Sequence, residues 1–191
     1  FTMTFSIAAV CPDTGMVGCA ITSSSICVAS PCAFVRSGTG VALTQNVTNP
    51  DLGPLALNLL GDNVPPKEIM QALAREDSNV QWRQLGVLNK DGDSATFSGE
   101  KALGLYATAE GKNCMALGNL LENTQVPQAM ITSFENSTGH LAERLLTALE
   151  AGLAAGGELG SVHSAGLQVC SDPQWPTVDL RVDWHIEPIS E

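Results

Sequence analysis

The sequence predicts an α+β fold in which two mainly antiparallel sheets stack on one another and helices cover their outer faces. Three observations predict it. Strand-like and helix-like segments come in blocks, ordered strands, helices, strands, helices, strands, without the βαβ alternation of a doubly wound parallel sheet. Tight-turn signatures join neighbouring strands, as hairpins require. An apolar content of 44% with 15% charged residues suits one packed core in a chain of 191 residues. A single domain over residues 1–191 is therefore expected, with residues 1–3 as extra residues before a mature N-terminus.

Residues 4–10 alternate as a strand, with Phe5, Ile7 and Ala9 on one face. The turn Cys11-Pro12-Asp13-Thr14-Gly15 supplies Pro at a turn's second position and Gly where φ must be positive. Residues 16–22 return as a second strand, interrupted by Ser23-Ser24-Ser25. Gly40 to Gln45 reads as another strand and ends in the polar string Gln45-Asn46-Val47-Thr48-Asn49-Pro50. Pro54 to Leu60 and Pro65 to Arg75 read as helices with proline in the first turn. Strands resume at 84–89 and 94–98 around the turn Asn89-Lys90-Asp91-Gly92.

A helix over 125–135 places Met130, Ile131 and Phe134 on one side. The clearest helix runs from His140 to Leu153. Leucines recur there every fourth residue from Leu141, Ser137 or Thr138 is available as N-cap, His140 caps the first turn, and Gly156-Gly157 stops it. Ser164 to Cys170 and Thr177 to Asp183 are the last strands. In the final one Val178, Leu180 and Val182 alternate with Asp179, Arg181 and Asp183, a charged face that should meet solvent or a polar site.

A net charge of −11, with only nine Lys and Arg residues, excludes a nucleic-acid partner and an anionic membrane surface, both of which need a basic surplus. No stretch approaches the ~20 apolar residues that cross a bilayer. The first residues show neither the basic n-region nor the apolar h-region of a secretory signal, and a cytoplasmic location is the default expectation. The six cysteines form no C-x-x-C pair and read as small core hydrophobes rather than zinc ligands. No histidine pair has H-E-x-x-H spacing. Neither a metal nor a cofactor is expected.

The chemistry with the most economical basis sits at Met3-Thr4. An initiator Met before a small residue is removed, which would leave Thr4 as the first residue of the first strand. Such a threonine carries a hydroxyl nucleophile, and its own α-amine, with a pKa of about 7.7–8.0, can act as base. The reaction served is acyl transfer, attack on an amide carbonyl through an acyl-enzyme ester. Its oxyanion needs donors, for which Asn46 is a candidate. Ser24 could relay protons. Arg36, isolated in a stretch poor in charge, could recognise a carboxylate or form a structural ion pair. Gln45 ends a strand, while Glu158 and His163 lie in a Gly-rich loop entering one, and all three are candidates to bind substrate. A serine hydrolase built on Ser24 and His163 is a rival, although G-x-S-x-G is absent.

The segments MTFSIAAVCPDTGMVGCAITSSS, RSGTGVALTQNVTNPDLGP, RQLGVLNKDGDSATFSG, HLAERLLTALEAGLAAGGE and VDLRVDWH together resemble a bacterial family, the domain of unknown function 1028, which is Ntn-hydrolase-like. The likeness runs from Met3 to about residue 188. It implies a four-layer αββα sandwich, a start at Met-Thr-Phe-Ser, Thr4 as the position of the N-terminal nucleophile, and a symmetric oligomer, most simply a dimer. Ser24 stands where many members carry Lys, and Glu158 and His163 stand where others have an Asp-x-Arg-Gly-x-Gln pattern. Two functions are therefore carried forward: an amidohydrolase acting on a small amide or N-acyl compound, and a metabolite- or partner-binding protein on the same scaffold.

Overall fold

The computed structural model describes residues 3–191; Phe1 and Thr2, expected to precede the mature N-terminus, lie outside the described residues. The chain runs through β1 (Thr4–Cys11), β2 (Met16–Ser23), a single turn α1 (Ala29–Cys32), β3 (Ala33–Arg36), β4 (Gly40–Asn46), α2 (Leu52–Gly61), α3 (Pro66–Glu76), β5 (Arg83–Asn89) and β6 (Ser94–Ser98). It continues as β7 (Ala107–Gly111), β8 (Cys114–Asn119), α4 (Val126–Asn136), α5 (Leu141–Ala154), β9 (Ser164–Cys170) and β10 (Val178–Val182). One sheet has the order β10-β9-β2-β1-β8-β7 and the other β3-β4-β5-β6. Every strand pairing in both is antiparallel.

Strand alternation sorts the side chains into layers. Phe5, Ile7 and Ala9 of β1 pack with Met130, Phe134 and Leu145 of α4 and α5. The opposite face of the same strand, Ala8 and Val10, joins Val17, Cys19, Met115 and Leu117 against Val41, Leu43 and Leu88 of the second sheet. That sheet turns Ala42, Leu85 and Val87 outward beneath Ile69 and Leu73 of α3 and Leu57 and Leu60 of α2. The result is four layers, helices, sheet, sheet, helices. Each large apolar side chain sealed in them contributes about 1.5–3 kcal/mol.

The sheets approach closely because β5 carries Gly86. A Cβ there would lie 2.7 Å from Leu117 Cδ2 and 2.9 Å from Met115 Cε. Helix α5 begins as expected at His140, whose Nδ1 accepts the Ala142 N–H at 3.2 Å. Ser137 instead caps the end of α4, donating to the Phe134 carbonyl at 2.7 Å. All six cysteines are free, and burial pushes the Cys19, Cys32 and Cys114 thiols up to about 12. Among the described residues no helix is long and apolar enough to cross a membrane, and no cluster of metal-ligating side chains occurs.

The hairpin β7–β8 and the short strand β3 were not predicted. β7 and β8 are built largely from Ala, Gly, Cys, Met and Asn, residues with little intrinsic strand preference. They are strands because β8 fills the place beside β1.

Candidate functional site

Antiparallel pairing brings the first residue of β1 against the last residues of its two neighbours. Thr4 pairs with Ser23 on one side and with Asn119 on the other. All three lie on the face that looks toward the second sheet, since they continue the alternation of Ala8, Cys19 and Leu117. Apolar residues fill the inter-sheet space along most of its length; at this end polar residues replace them.

Thr4 Oγ1 donates to Ser23 Oγ at 3.3 Å. Ser23 Oγ also accepts the Ser25 N–H at 3.0 Å and donates to the Met3 carbonyl oxygen. One hydroxyl thus touches the threonine hydroxyl and the carbonyl that precedes it. Beneath Thr4 lies a buried amide network. Ser6 Oγ donates to Gln45 Oε1 at 2.7 Å, and Gln84 Oε1 accepts Gln45 Nε2 at 2.8 Å and Asn119 Nδ2 at 3.2 Å. Gln84 Nε2 in turn reaches the Gly118 carbonyl at 3.0 Å. Buried amides persist only when paired in this way, and such a network holds its members rigidly.

Glu158 closes the end of the row. Its backbone bridges to Leu121, just beyond β8, while its Oε2 accepts the Ser24 N–H at 3.1 Å, just beyond β2. β1 lies between those two strands, so Glu158 lies across the start of β1. Neighbouring strands are about 4.8 Å apart, so the crossing spans two strand spacings. The side chain is buried, and burial pushes its carboxyl up to about 8 against the pull of the Ser24 hydrogen bonds. Among the described residues, the buried side-chain polar atoms without a hydrogen-bond partner are Glu158 Oε1 and Asn119 Oδ1. Both belong to this site. A native core normally satisfies such atoms, so an orphan pair in one place sets this end of the sandwich apart from the rest of the core.

The remaining candidates fall into place around it. His163 donates its backbone N–H to the Ser23 carbonyl at 2.7 Å, and its ring stacks on Trp184 at 4.4 Å. Ser164 Oγ ties the serine loop down by donating to the Ser25 carbonyl at 2.6 Å and accepting the Val28 N–H at 3.1 Å. Asn46 holds a left-handed φ of 75°. Its Nδ2 donates to the Trp82 carbonyl and its Oδ1 accepts the Leu103 N–H at 3.1 Å. It shapes the rim by joining two loops. Behind it Arg83 Nε donates to Asp77 Oδ2 at 2.8 Å. That guanidinium, with the Asn79 N–H and Asn49 amide, holds the Asp77 carboxyl below its usual range despite burial.

Of the residues singled out from sequence, Thr4, Gln45, Glu158 and His163 gather at this end, with Asn46 at the rim. Gln45 is fully buried and both ends of its amide are engaged, so it forms the floor. The serine triplet presents Ser23 to Thr4, while Ser24 is held through its backbone by Glu158. Arg36 is elsewhere. It pairs with Gly40 at the opposite end of β4 from Asn46, some six residues or about 20 Å away along the strand. There Nη1 donates to the Leu57 carbonyl and Nη2 to Asn58 Oδ1, both at 3.0 Å. It is a structural tie to the end of α2. Gln84 and Asn119 were missed from sequence, and within the serine triplet Ser24 was favoured over Ser23; counting alternation along β2 from Val17 would have put Ser23 inward.

The model of a family described as "Family of unknown function (DUF1028)" matches residues 4–191. The chain is also similar to a solved structure, protein SPO2555 from Silicibacter pomeroyi, described with the same family. The two share 30% identity over 98% of this chain and 82% of the other, with a TM-score of 0.92. Among curated proteins none matches.

Proposed function

We propose that this chain, which belongs to the family of unknown function DUF1028, is an N-terminal-nucleophile amidohydrolase that cleaves a small amide or N-acyl compound through an acyl-enzyme on Thr4. The observation that carries this reading is the hydrogen bond from Thr4 Oγ1 to Ser23 Oγ, whose hydroxyl also donates to the Met3 carbonyl oxygen. That carbonyl is an acyl group attached to Thr4, and its hydrogen bond supports Ser23 as a donor to a carbonyl beside the nucleophile.

In this reading Met3 is removed and the Thr4 nitrogen becomes a free amine. The amine takes the hydroxyl proton, directly or through one water, and Oγ1 attacks the substrate carbonyl carbon. The Ser23 hydroxyl, braced by the Ser25 N–H, donates to the developing oxyanion. Collapse breaks the C–N bond, the Thr4 ammonium returns the proton to the leaving nitrogen, and an ester on Oγ1 remains. Water, deprotonated by the same amine, then hydrolyses it. Asn119 Oδ1 suits an N–H group of the substrate, and the Glu158 carboxyl, held neutral by burial with its Oε2 accepting the Ser24 N–H, can donate from Oε1 to a substrate oxygen. The neutral amide floor keeps the site dry and rigid.

A second reading, a binding protein on the same scaffold, is favoured by one observation. With Met3 attached the Thr4 nitrogen is an amide without basicity, and Thr4 is only 1% exposed. The test is to prepare the chain with Thr4 as its first residue, beside the same chain with Thr4→Ala, and to screen amides with intact-mass detection. The hydrolase reading expects turnover and an acyl adduct on the Thr4 form, with turnover reduced on the order of 10³-fold or more by Thr4→Ala. Equal hydrolysis by both forms would move the chemistry to another residue, Ser24 included. Binding without turnover by either form would establish the second reading.

A further inference from the structure

β10 is the outermost strand of the six-stranded sheet. It pairs with β9 on one side only, and among the described residues no strand lies on the other. A free edge is a template for pairing, and natural sheets usually blunt it with proline, a bulge or an inward charge. β10 carries no proline: its sequence is Val178-Asp179-Leu180-Arg181-Val182, and Leu180 at its centre is 61% exposed. Its two charges, on the face shared with Gln168 and Cys19, are of opposite sign, so they repel a partner strand in some registers and attract it in others.

The order of residues on this edge is self-complementary. When two copies extend one sheet about a two-fold axis perpendicular to it, each side chain keeps its face, so the axis must pass through a residue. An axis at Asp179 or at Arg181 would set like charges against each other. An axis at Leu180 sets Asp179 opposite the partner's Arg181, Arg181 opposite the partner's Asp179, and Val178 opposite the partner's Val182. Directly opposed pairs are the unit of sheet stabilisation, favourable for unlike charges and for β-branched pairs. The same symmetry carries Trp184, which follows the strand and is 59% exposed, toward the partner's Trp175, which precedes it and is 69% exposed.

We propose that two copies of this chain associate by antiparallel pairing of their β10 strands about a two-fold axis at Leu180, an isologous interface of the commonest symmetric type. The proposal stands independently of the hydrolase reading. It does place the interface one step from the site. Beyond β10, the Asp183 carbonyl accepts the Cys27 N–H at 3.0 Å, and the His185 N–H donates at 2.7 Å to the His163 carbonyl, whose own N–H holds Ser23.

Charge reversal tests it. Sedimentation equilibrium is run on the full chain, on Asp179→Arg, on Arg181→Asp and on the double variant, with circular dichroism to verify folding. The wild-type chain is expected to be a dimer. Each single reversal turns both attractive pairs into repulsive ones and should raise the dimer dissociation constant on the order of tenfold or more. The double variant restores both pairs with their signs exchanged and should return close to the wild-type value. Leu180→Lys, which sets two ammonium groups at the axis, should dissociate the dimer by a separate route. A monomeric wild-type chain, a dimer indifferent to the single reversals and to Leu180→Lys, or a double variant that fails to recover would each overturn the proposal.

Discussion

Replacing Glu158 by Gln should stabilise the protein increasingly as pH rises. Gln keeps the shape of the side chain, and its Oε1 can accept the Ser24 N–H that Glu158 Oε2 accepts at 3.1 Å. What changes is that the group can no longer ionise. In the folded chain burial lifts the Glu158 carboxyl from its ordinary 4.5 to about 8. Between those values the unfolded chain has released the proton and the folded chain retains it. Folded stability therefore falls as pH rises through this window, by about 1.4 kcal/mol per pH unit, and levels off above the folded value. From about pH 5 to about pH 9 the wild-type protein should lose roughly 4 kcal/mol that the variant keeps. For a domain of this size that corresponds to a gap in melting temperature of roughly 10 °C. The assay is urea unfolding of both proteins at several pH values, with the difference between them plotted. Other titrating groups cancel in that difference. Two stability curves that stay parallel across the window would refute the reasoning, because Glu158 would then ionise as freely folded as unfolded and could not be a dry carboxyl.

The remaining stability predictions follow from the packing. Asp77→Ala strands the buried Arg83 guanidinium and should cost about 3–5 kcal/mol at neutral pH. Because the Asp77 carboxyl sits below its usual range, its contribution is present above the ordinary carboxylate pKa and lost as pH falls through the lowered one. The gap between wild type and Asp77→Ala in urea unfolding should accordingly shrink in acid. Gly86→Ala places a methyl 2.7 Å from Leu117 Cδ2 between the sheets and should cost about 1–3 kcal/mol of overpacking. Thermal unfolding of the variant checks it, and an unchanged melting temperature would mean that the sheets can part at no cost.

The parts of the fold that could be read from sequence are those in which local and long-range forces agree. β1 and β2 alternate apolar residues around a turn of suitable chemistry, and α5 repeats leucine along the face it buries. β7 and β8 could not be read because Thr108 alone in Ala-Thr-Ala-Glu-Gly and Cys-Met-Ala-Leu-Gly-Asn prefers a strand; their state is set by the free edge of β1. That failure concealed Asn119 as well, since its place beside Thr4 exists only through the β1–β8 register. Glu158 was chosen for its neighbours in sequence, but its burial depends on lying across β1 from Leu121 to Ser24, a relation between segments far apart in the chain.

Arg36 and Thr4 show how isolation in a sequence can mislead and inform. A lone arginine among apolar residues suggests an anion site, yet its long side chain is equally suited to carbonyls at the end of a nearby helix, and α2 supplies them. A threonine opening a strand suggests little by composition. Its meaning comes from what stands next to it, and the neighbouring strands place Ser23 and Asn119 there, both polar and both buried. A polar residue costs least where solvent reaches it. A cluster of them sealed at one end of a sandwich whose middle is Ala, Val, Leu and Met works against stability. Such an arrangement is expected where a site requires it, and the two buried side-chain polar atoms left without partners lie at that end and in no other buried part of the described chain.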